Sequence, residues 1–547
     1  MKIQLAFTLA WWYRKRLKAN DLRFNEAEDS LGQGLLLEAE LSSDLNDLVK
    51  DAIEIADSYP EIIREIDHDL DIHGLKKKTM READRRFFER LNPSFDSMAD
   101  LPDPDTCPLD LEGGRPRMPA IIVYVLLLLR GWIGGPKSIE FRLILKESIT
   151  LHRFFETLQF QVPGTSTVAD NVNAVRESTL HLILRSQLGH AKATDLDTFE
   201  EVVIDSTSVS ANSKYPTDSS LLASLAMRMT GLFDRLRKLK LGFPDWTKQV
   251  FAMRAREIAE EIELQAKRIG MMSGKQSVKT QRKVLYAKIY TRVGRLARVF
   301  GPILATASKA VAKVPLPPSK AQAVAKLIEQ SQKDLSSIER ISAYSRKRIF
   351  RDQNATASEK VISISDEDTA IIKKGGWEIE SGYKPQLAFS GKGLATAHCL
   401  PRGNAADSGQ LSTVLEANEQ NTGVVPKDIS LDDGYTNRKV REEYMAKHKG
   451  RVEVFSFAGA KGRAAIEQET YESDAYRKAR NNRSAVESRI FTLKFNHGYE
   501  DVMRRGLEAV RHEQLTKVLS YNIRRIVWLR KEKARAKRNE ALKKEAA

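Results

Sequence analysis

The chain has 547 residues, which at about 150 residues per domain suggests three or four units. A hydrophobic share of 41% and a charged share of 30% describe a helix-rich globular protein with ample core, and two cysteines, Cys107 and Cys399, exclude a disulfide framework or a four-ligand zinc site. That cysteine usage points to a reducing compartment, the cytoplasm by default. The net charge of +16 is unevenly spread. Leu221 to Phe350 holds 27 Lys and Arg against 9 Asp and Glu, Met503 to the end holds 14 against 5, and the remainder is net acidic. Two basic blocks of this kind suit a polyanion, although a basic helical block is also an ordinary solvated surface.

The apolar run Ile3 to Trp12 is followed by Arg14-Lys15-Arg16 rather than a small-residue cleavage site, so no signal peptide is expected. Ala120 to Leu129 is about half a membrane span and reads as a buried helix; no membrane partner is expected. The first 190 residues otherwise carry helical periodicity over Asp44 to Ser58, Met80 to Leu91 and Ser138 to Leu158, with a proline-rich linker from Asp100 to Pro119. Asp67-His68-Asp69, Asp71 and His73 suggest a metal site or, more simply, a solvated helix face.

A strand at Glu200 to Asp205 is followed by basic helices from Ser219 to about Ser345. Strands then resume at Tyr383 to Phe389 and Gly393 to Leu400, joined by Ser390-Gly391-Lys392. Next come a helix from Asp407 to Asn418, a strand at Asp428 to Leu431, a helix from Asn437 to Lys447, a strand at Val452 to Phe457 and a helix from Tyr471 to Phe495. Without the insertion the order is β, β, β, α, β, α, β, α, which fits a ribonuclease H-like mixed sheet with helices on both faces. The expected organisation is a multidomain α and α/β chain. It comprises a helical N-terminal region (1–100), a helical domain (101–195), a split sheet domain (196–218 and 373–502), a basic helical insertion (219–372) and a basic helical tail (503–547).

The chemistry lies in carboxylates. Asp205 ends the apolar run Val202-Val203-Ile204, and Asp432 ends Ile429-Ser430-Leu431 and precedes Asp433-Gly434-Tyr435. Arg483, Glu487 and Lys494 fall within about 40° of one another on a helix, at 100° per residue. Singly, each aspartate suits a turn and Glu487 suits a surface pair with Arg483. Together they sit where a two-metal site needs acids, beside an apolar stripe of Val486, Ile490 and Leu493 that would aim Glu487 at the strand ends. Such a cradle of oxygens suits two divalent cations, Mg²⁺ or Mn²⁺, and phosphodiester chemistry. Asp407 and Asp433 read as capping or turn residues, His398-Cys399 as a buried cysteine with its neighbour outward. No phosphate-cradling glycine loop is present, so no nucleotide cofactor is expected.

These residues, with Gly382-Tyr383-Lys384, Gly403-Asn404-Ala405-Ala406-Asp407-Ser408 and Pro163-Gly164-Thr165-Ser166-Thr167, resemble the DDE transposases of bacterial insertion sequences, of the large Tyr-Arg-Glu-Lys signature type. The resemblance spans roughly 119–499. It implies a metal-binding catalytic triad of Asp205, Asp432 and Glu487, with Arg483 and Lys494 on DNA phosphates. It also implies cleavage of element ends and their joining to target double-stranded DNA, a homodimer on DNA and a nucleoid-associated location. The signature tyrosine is replaced by Arg480, so Tyr476, two turns before Arg483, and Arg480 itself are the candidates for its role. Lys461 and Arg463 are further DNA-binding candidates. The insertion is expected to grip backbone and the N-terminal region to read sequence. A metal-dependent nuclease without strand transfer, and an inactive DNA-binding descendant, share most of these features.

Overall fold

The computed structural model describes residues 30–91, 117–133, 139–212, 217–238, 250–272, 278–311, 315–356, 359–374, 378–500 and 502–546. The chain divides into two compact units. One comprises Met1–His73, Arg115–Asn212 and Asp368–Ala547; the other comprises Gly74–Gly114 and Ser213–Glu367.

Among the described residues the first unit contains eight strands: β1 Glu201–Ser206, β2 Val209–Ser210, β3 Ala370–Lys374, β4 Glu378–Tyr383, β5 Gln386–Ser390, β6 Ala395–Cys399, β7 Asp428–Leu431 and β8 Val454–Phe457. Five form a mixed sheet in the order β6-β5-β1-β7-β8. β1 is antiparallel to β5 and parallel to β7, and β7 is parallel to β8. The remaining three form a small sheet, β2-β4-β3. The strand expected from Tyr383 to Phe389 is therefore two strands. They part at Lys384-Pro385, where proline supplies no N–H to continue the ladder. The small sheet was not anticipated, and it moves the end of the insertion to about residue 367.

Alternation along the strands builds two cores. Val202 and Ile204 join Ile429, Leu431, Phe455 and Phe457 beneath the helix Asp407–Thr422. Val203, Leu387 and Phe389 face the opposite side, with Val486, Ile490 and Leu493 and the helix Leu507–Ala546.

That last helix corrects one expectation. The 40 residues Leu507–Ala546 are not a basic tail throughout: Val510, Leu515, Val518, Leu519, Ile523 and Ile526 are core residues, and the exposed basic part begins near residue 534. The three- and four-residue spacing of these apolar side chains was present in the sequence beneath the excess of charge. The helix packs on Ala120–Ile133, whose residues Ile122 to Leu129 are wholly buried. Gly131 permits the close approach, because a Cβ there would stand 2.5 Å from Ser520 Oγ, which accepts the Gly131 N–H at 3.1 Å.

Asp69 corrects another. It is buried and accepts the backbone N–H of Arg176 at 2.8 Å and the Thr179 hydroxyl at 2.7 Å, capping the helix Glu177–Ala193 rather than facing solvent. The helix expected over Ser138 to Leu158 breaks at Ser148, whose hydroxyl caps Ile149–Thr157.

The second unit contains the helices Asp218–Lys238, Val250–Gly270, Lys279–Val311 and Pro318–Arg351 around a core of their own. Arg228 pairs with the buried Asp334, and Arg348 with Asp218. The expected N-terminal region (1–100) is divided between the units at residues 73 and 74. Among the described residues no helix is long and apolar enough to cross a membrane.

Replacing Gly131 by Ala should lower stability by about 1–3 kcal/mol through overpacking. A thermal melt unchanged from the parent chain would contradict the helix contact described.

Candidate functional site

Strand register brings two acids together before any side-chain packing is considered. Ile204 of β1 lies opposite Leu431 of β7 in a parallel pair. The next residue on each strand is an aspartate, so Asp205 and Asp432 emerge side by side at the strand ends, about 5 Å apart at ordinary strand spacing. Asp205 alternates with Ile204 and shares the face of Val203, on which Val486, Ile490 and Leu493 of the helix Ser484–Asn496 pack. That packing carries Glu487 and Arg483 to the same end of the sheet.

Arg483 joins the cluster. Its Nη2 lies 3.2 Å from Asp432 Oδ1, 3.5 Å from Glu487 Oε1 and 3.9 Å from Asp205 Oδ2. The helix expected from Tyr471 to Phe495 is interrupted here: helices Asp474–Asn482 and Ser484–Asn496 meet at Arg483, with i→i−3 bonds from Arg483 to Arg480 and from Val486 to Arg483 tightening the junction. Asp205 is mostly enclosed and Glu487 largely exposed. Burial pushes the Asp205 carboxyl up to about 7; the Ser206 N–H and Arg483 oppose the rise, and Asp432 and Asp407 add to it.

A polar network supports the cluster from below. Asp407 accepts from Lys384 Nζ at 2.8 Å and from Gln386 Nε2 at 3.0 Å, and the buried Tyr435 hydroxyl donates to Gln386 Oε1. Burial, with Asp407 and Asp205 nearby, keeps that hydroxyl protonated well above its usual range. Asp407 is thus a buttress rather than a helix cap. Gln386 was missed in the sequence, where its only signal was a polar residue just after Pro385 at the start of an apolar strand. Asp433 accepts the Gly462 N–H at 2.9 Å and so ties the turn after β7 to the helix Gly459–Ala465. Gly459, at φ +91°, leaves room for it, since a Cβ there would lie 2.7 Å from Asp433.

The other predicted residues fall in different surroundings. Lys461 and Arg463 are exposed on Gly459–Ala465. Arg480 is half-buried, with its guanidinium 4.7 Å from the centre of the Tyr471 ring. Tyr476 is a core residue, 2% exposed, its hydroxyl accepting the Phe457 N–H at 2.8 Å, so it does not stand in for the signature tyrosine on the Arg483 face. Lys494 is also buried, and its ammonium donates to the Ser208 carbonyl at 2.7 Å, bracing the chain just beyond Asp205. The expected phosphate contact from Lys494 is corrected accordingly: helix packing that aims Glu487 at the strand ends draws Lys494, two turns further on, under the loop. His398 faces inward toward Gln514 and Cys399 is the partly exposed neighbour, the reverse of expectation, because the C-terminal helix covers that side of β6.

The donor set, three carboxylates, is chemically suited to a hard divalent cation. Among the described residues, however, no three acidic, histidine or cysteine side chains already form a metal-holding group; the cation between the acids is the Arg483 guanidinium. Set beside known proteins, the chain matches no family model, no curated protein and no solved structure.

Because Asp205 holds its proton to about pH 7 when folded but releases it near 3.8 when unfolded, its contribution to stability is present below pH 4 and is lost as pH rises through 7. Asp205→Asn should therefore flatten the fall of melting temperature between pH 4 and 7 in metal-free buffer. A slope identical to the parent's would rule out the raised carboxyl.

Proposed function

We propose that this chain is a DDE-type DNA transposase of a bacterial insertion sequence, with a ribonuclease H-like catalytic domain interrupted by the basic helical unit. The observation that carries the reading is the meeting of Asp205, Asp432 and Glu487, from three remote segments, around one guanidinium nitrogen. The strand order β6-β5-β1-β7-β8, with its acids at the ends of two adjacent parallel strands, supports the same reading.

On this reading Asp205, Asp432 and Glu487 would hold two divalent cations, Mg²⁺ or Mn²⁺, which when bound would supply Lewis-acid stabilisation of the attacking and leaving oxygens. Arg483 turns from the carboxylates to a DNA phosphate beside the scissile bond, where a charge-assisted contact positions the backbone without reading sequence. Lys461 and Arg463, exposed on the helix tied to the Asp433 turn, hold neighbouring phosphates. Asp407, Lys384, Gln386 and Tyr435 keep the strand ends rigid. Exposed Arg254, Lys288, Arg295 and Arg298 of the helical unit supply sequence-independent grip on double-stranded DNA. Two ends are joined by a homodimer, in the bacterial cytoplasm at the nucleoid, with no nucleotide cofactor.

Arginine at position 480, where the resemblance calls for tyrosine, favours a second reading: a DNA-binding descendant without catalysis. Metal-dependent nicking of a substrate carrying element ends excludes it, and joined products separate a transposase from a plain nuclease.

Asp205→Ala and Glu487→Ala should each reduce Mg²⁺-dependent cleavage by about 10²-fold or more, the scale of losing one charge-stabilising group. DNA affinity, measured by gel shift in EDTA, should stay close to that of the parent chain. Residual cutting at the parental rate by either purified variant would remove that residue from the active site.

A further inference from the structure

A cationic site lies on the other side of the helix that carries Glu487. At 100° per residue Arg489 is about 200° around that helix from Glu487. It lines a cleft of about 390 Å³ between Ser484–Asn496 and the C-terminal helix, together with His497, Arg524, Arg525 and Trp528. That volume is within the range of small-ligand sites.

Arg489 and Arg525 each direct a hydrogen bond to a backbone carbonyl. Arg489 donates from Nη2 to the Gly391 carbonyl at 2.8 Å, and its Nη1 is buried with no hydrogen-bond partner. Arg525 donates from Nε to the Lys392 carbonyl at 2.7 Å and lies 4.0 Å over the ring of Trp528. The two guanidinium groups converge: a Cβ placed on Gly393 would be 3.3 Å from Arg489 Nε and 3.2 Å from Arg525 Nε. His497 Nδ1, in the same cleft, is likewise buried without a partner, and burial keeps that ring neutral. Asp197, one of the acids acting on Arg489 through space, is engaged by the Ser390 hydroxyl and the Phe199 N–H. Two adjoining arginines whose hydrogen bonds go to backbone carbonyls repel each other, and an anion between them would relieve that repulsion. Trp528, 43% exposed beneath Arg525, adds a stacking surface.

We propose that this cleft binds a phosphate group through Arg489 and Arg525, with a nucleobase stacked at Trp528. The phosphate belongs either to a single-stranded nucleic acid or to a free nucleotide. Planar guanidinium forks match phosphate oxygens in pairs, and the arginine-stacked indole suits a flat base without selecting its sequence. The site is separate from the carboxylate cluster and its occupancy requires no metal.

The test uses the full chain in EDTA, with a labelled single-stranded oligonucleotide titrated across a salt series and with AMP and inorganic phosphate added in thermal melts. Arg525→Gln should weaken oligonucleotide binding about tenfold, the equivalent of one charge-assisted hydrogen bond, and reduce the salt slope by about 0.7. Trp528→Ala should weaken it without changing that slope. A rise in melting temperature with AMP, abolished by Arg525→Gln, identifies a free nucleotide as the source; a response to the oligonucleotide alone identifies the strand. Both variants alter a partly exposed side chain, and circular dichroism verifies their fold. If Arg525→Gln, Arg489→Gln and Trp528→Ala all leave affinity, salt slope and melting shifts at parental values, the proposal is overturned. Since no metal is present, that outcome would leave the reading of Asp205, Asp432 and Glu487 untouched.

Discussion

Two carboxylates at the ends of neighbouring strands cannot both be ionised without compensation. At about 5 Å and an effective dielectric of about 20 they repel by about 3 kcal/mol. In this chain the parallel register of β1 and β7 forces that proximity on Asp205 and Asp432, and packing of the Glu487 helix adds a third acid. Two compensations are visible: Asp205 retains a proton to about pH 7, and one Arg483 nitrogen lies within 4 Å of all three acids. Three acids gathered at the strand ends thus share a single arginine.

The surroundings hold that arrangement in place. The β1–β5 and β1–β7 pairings fix the strand ends, with cores on both faces of the sheet. Beneath the cluster, the Lys384, Asp407, Gln386 and Tyr435 chain satisfies the fully buried polar groups of Gln386 and Tyr435, where an unpaired donor or acceptor would cost about 1–3 kcal/mol. Lys494, bonded to the Ser208 carbonyl, stiffens the segment leaving Asp205. Side chains in this layer position the carboxylate cluster without belonging to it.

Much of the sheet was legible. Val202 to Asp205, Ile429 to Asp432 and the run around Phe455 and Phe457 are short, apolar and bounded by turn residues, and each became a strand in the expected order. The buried reading of Ala120 to Leu129 follows from length alone, and the wholly buried helix agrees with it. What escaped the sequence was direction. Tyr476 and Lys494 lie on plausible faces of an ideal helix, but the junction at Arg483 and the local packing turn Tyr476 into the core and Lys494 under a loop. The charge excess of the last 45 residues likewise concealed an apolar stripe that makes the first half of the final helix part of the core.

The sequence by itself determined where strands end in acids, that the segment holding Arg483 and Glu487 is helical, and that the basic residues form two blocks, because each of these is a local pattern of polarity and spacing. Tertiary structure alone decided that Ile204 pairs with Leu431, that Gln386 and Asp407 share a network, and that Arg489 and Arg525 converge across two helices. These depend on contacts between residues far apart in the chain, and one sequence without its packing does not encode them in any local period.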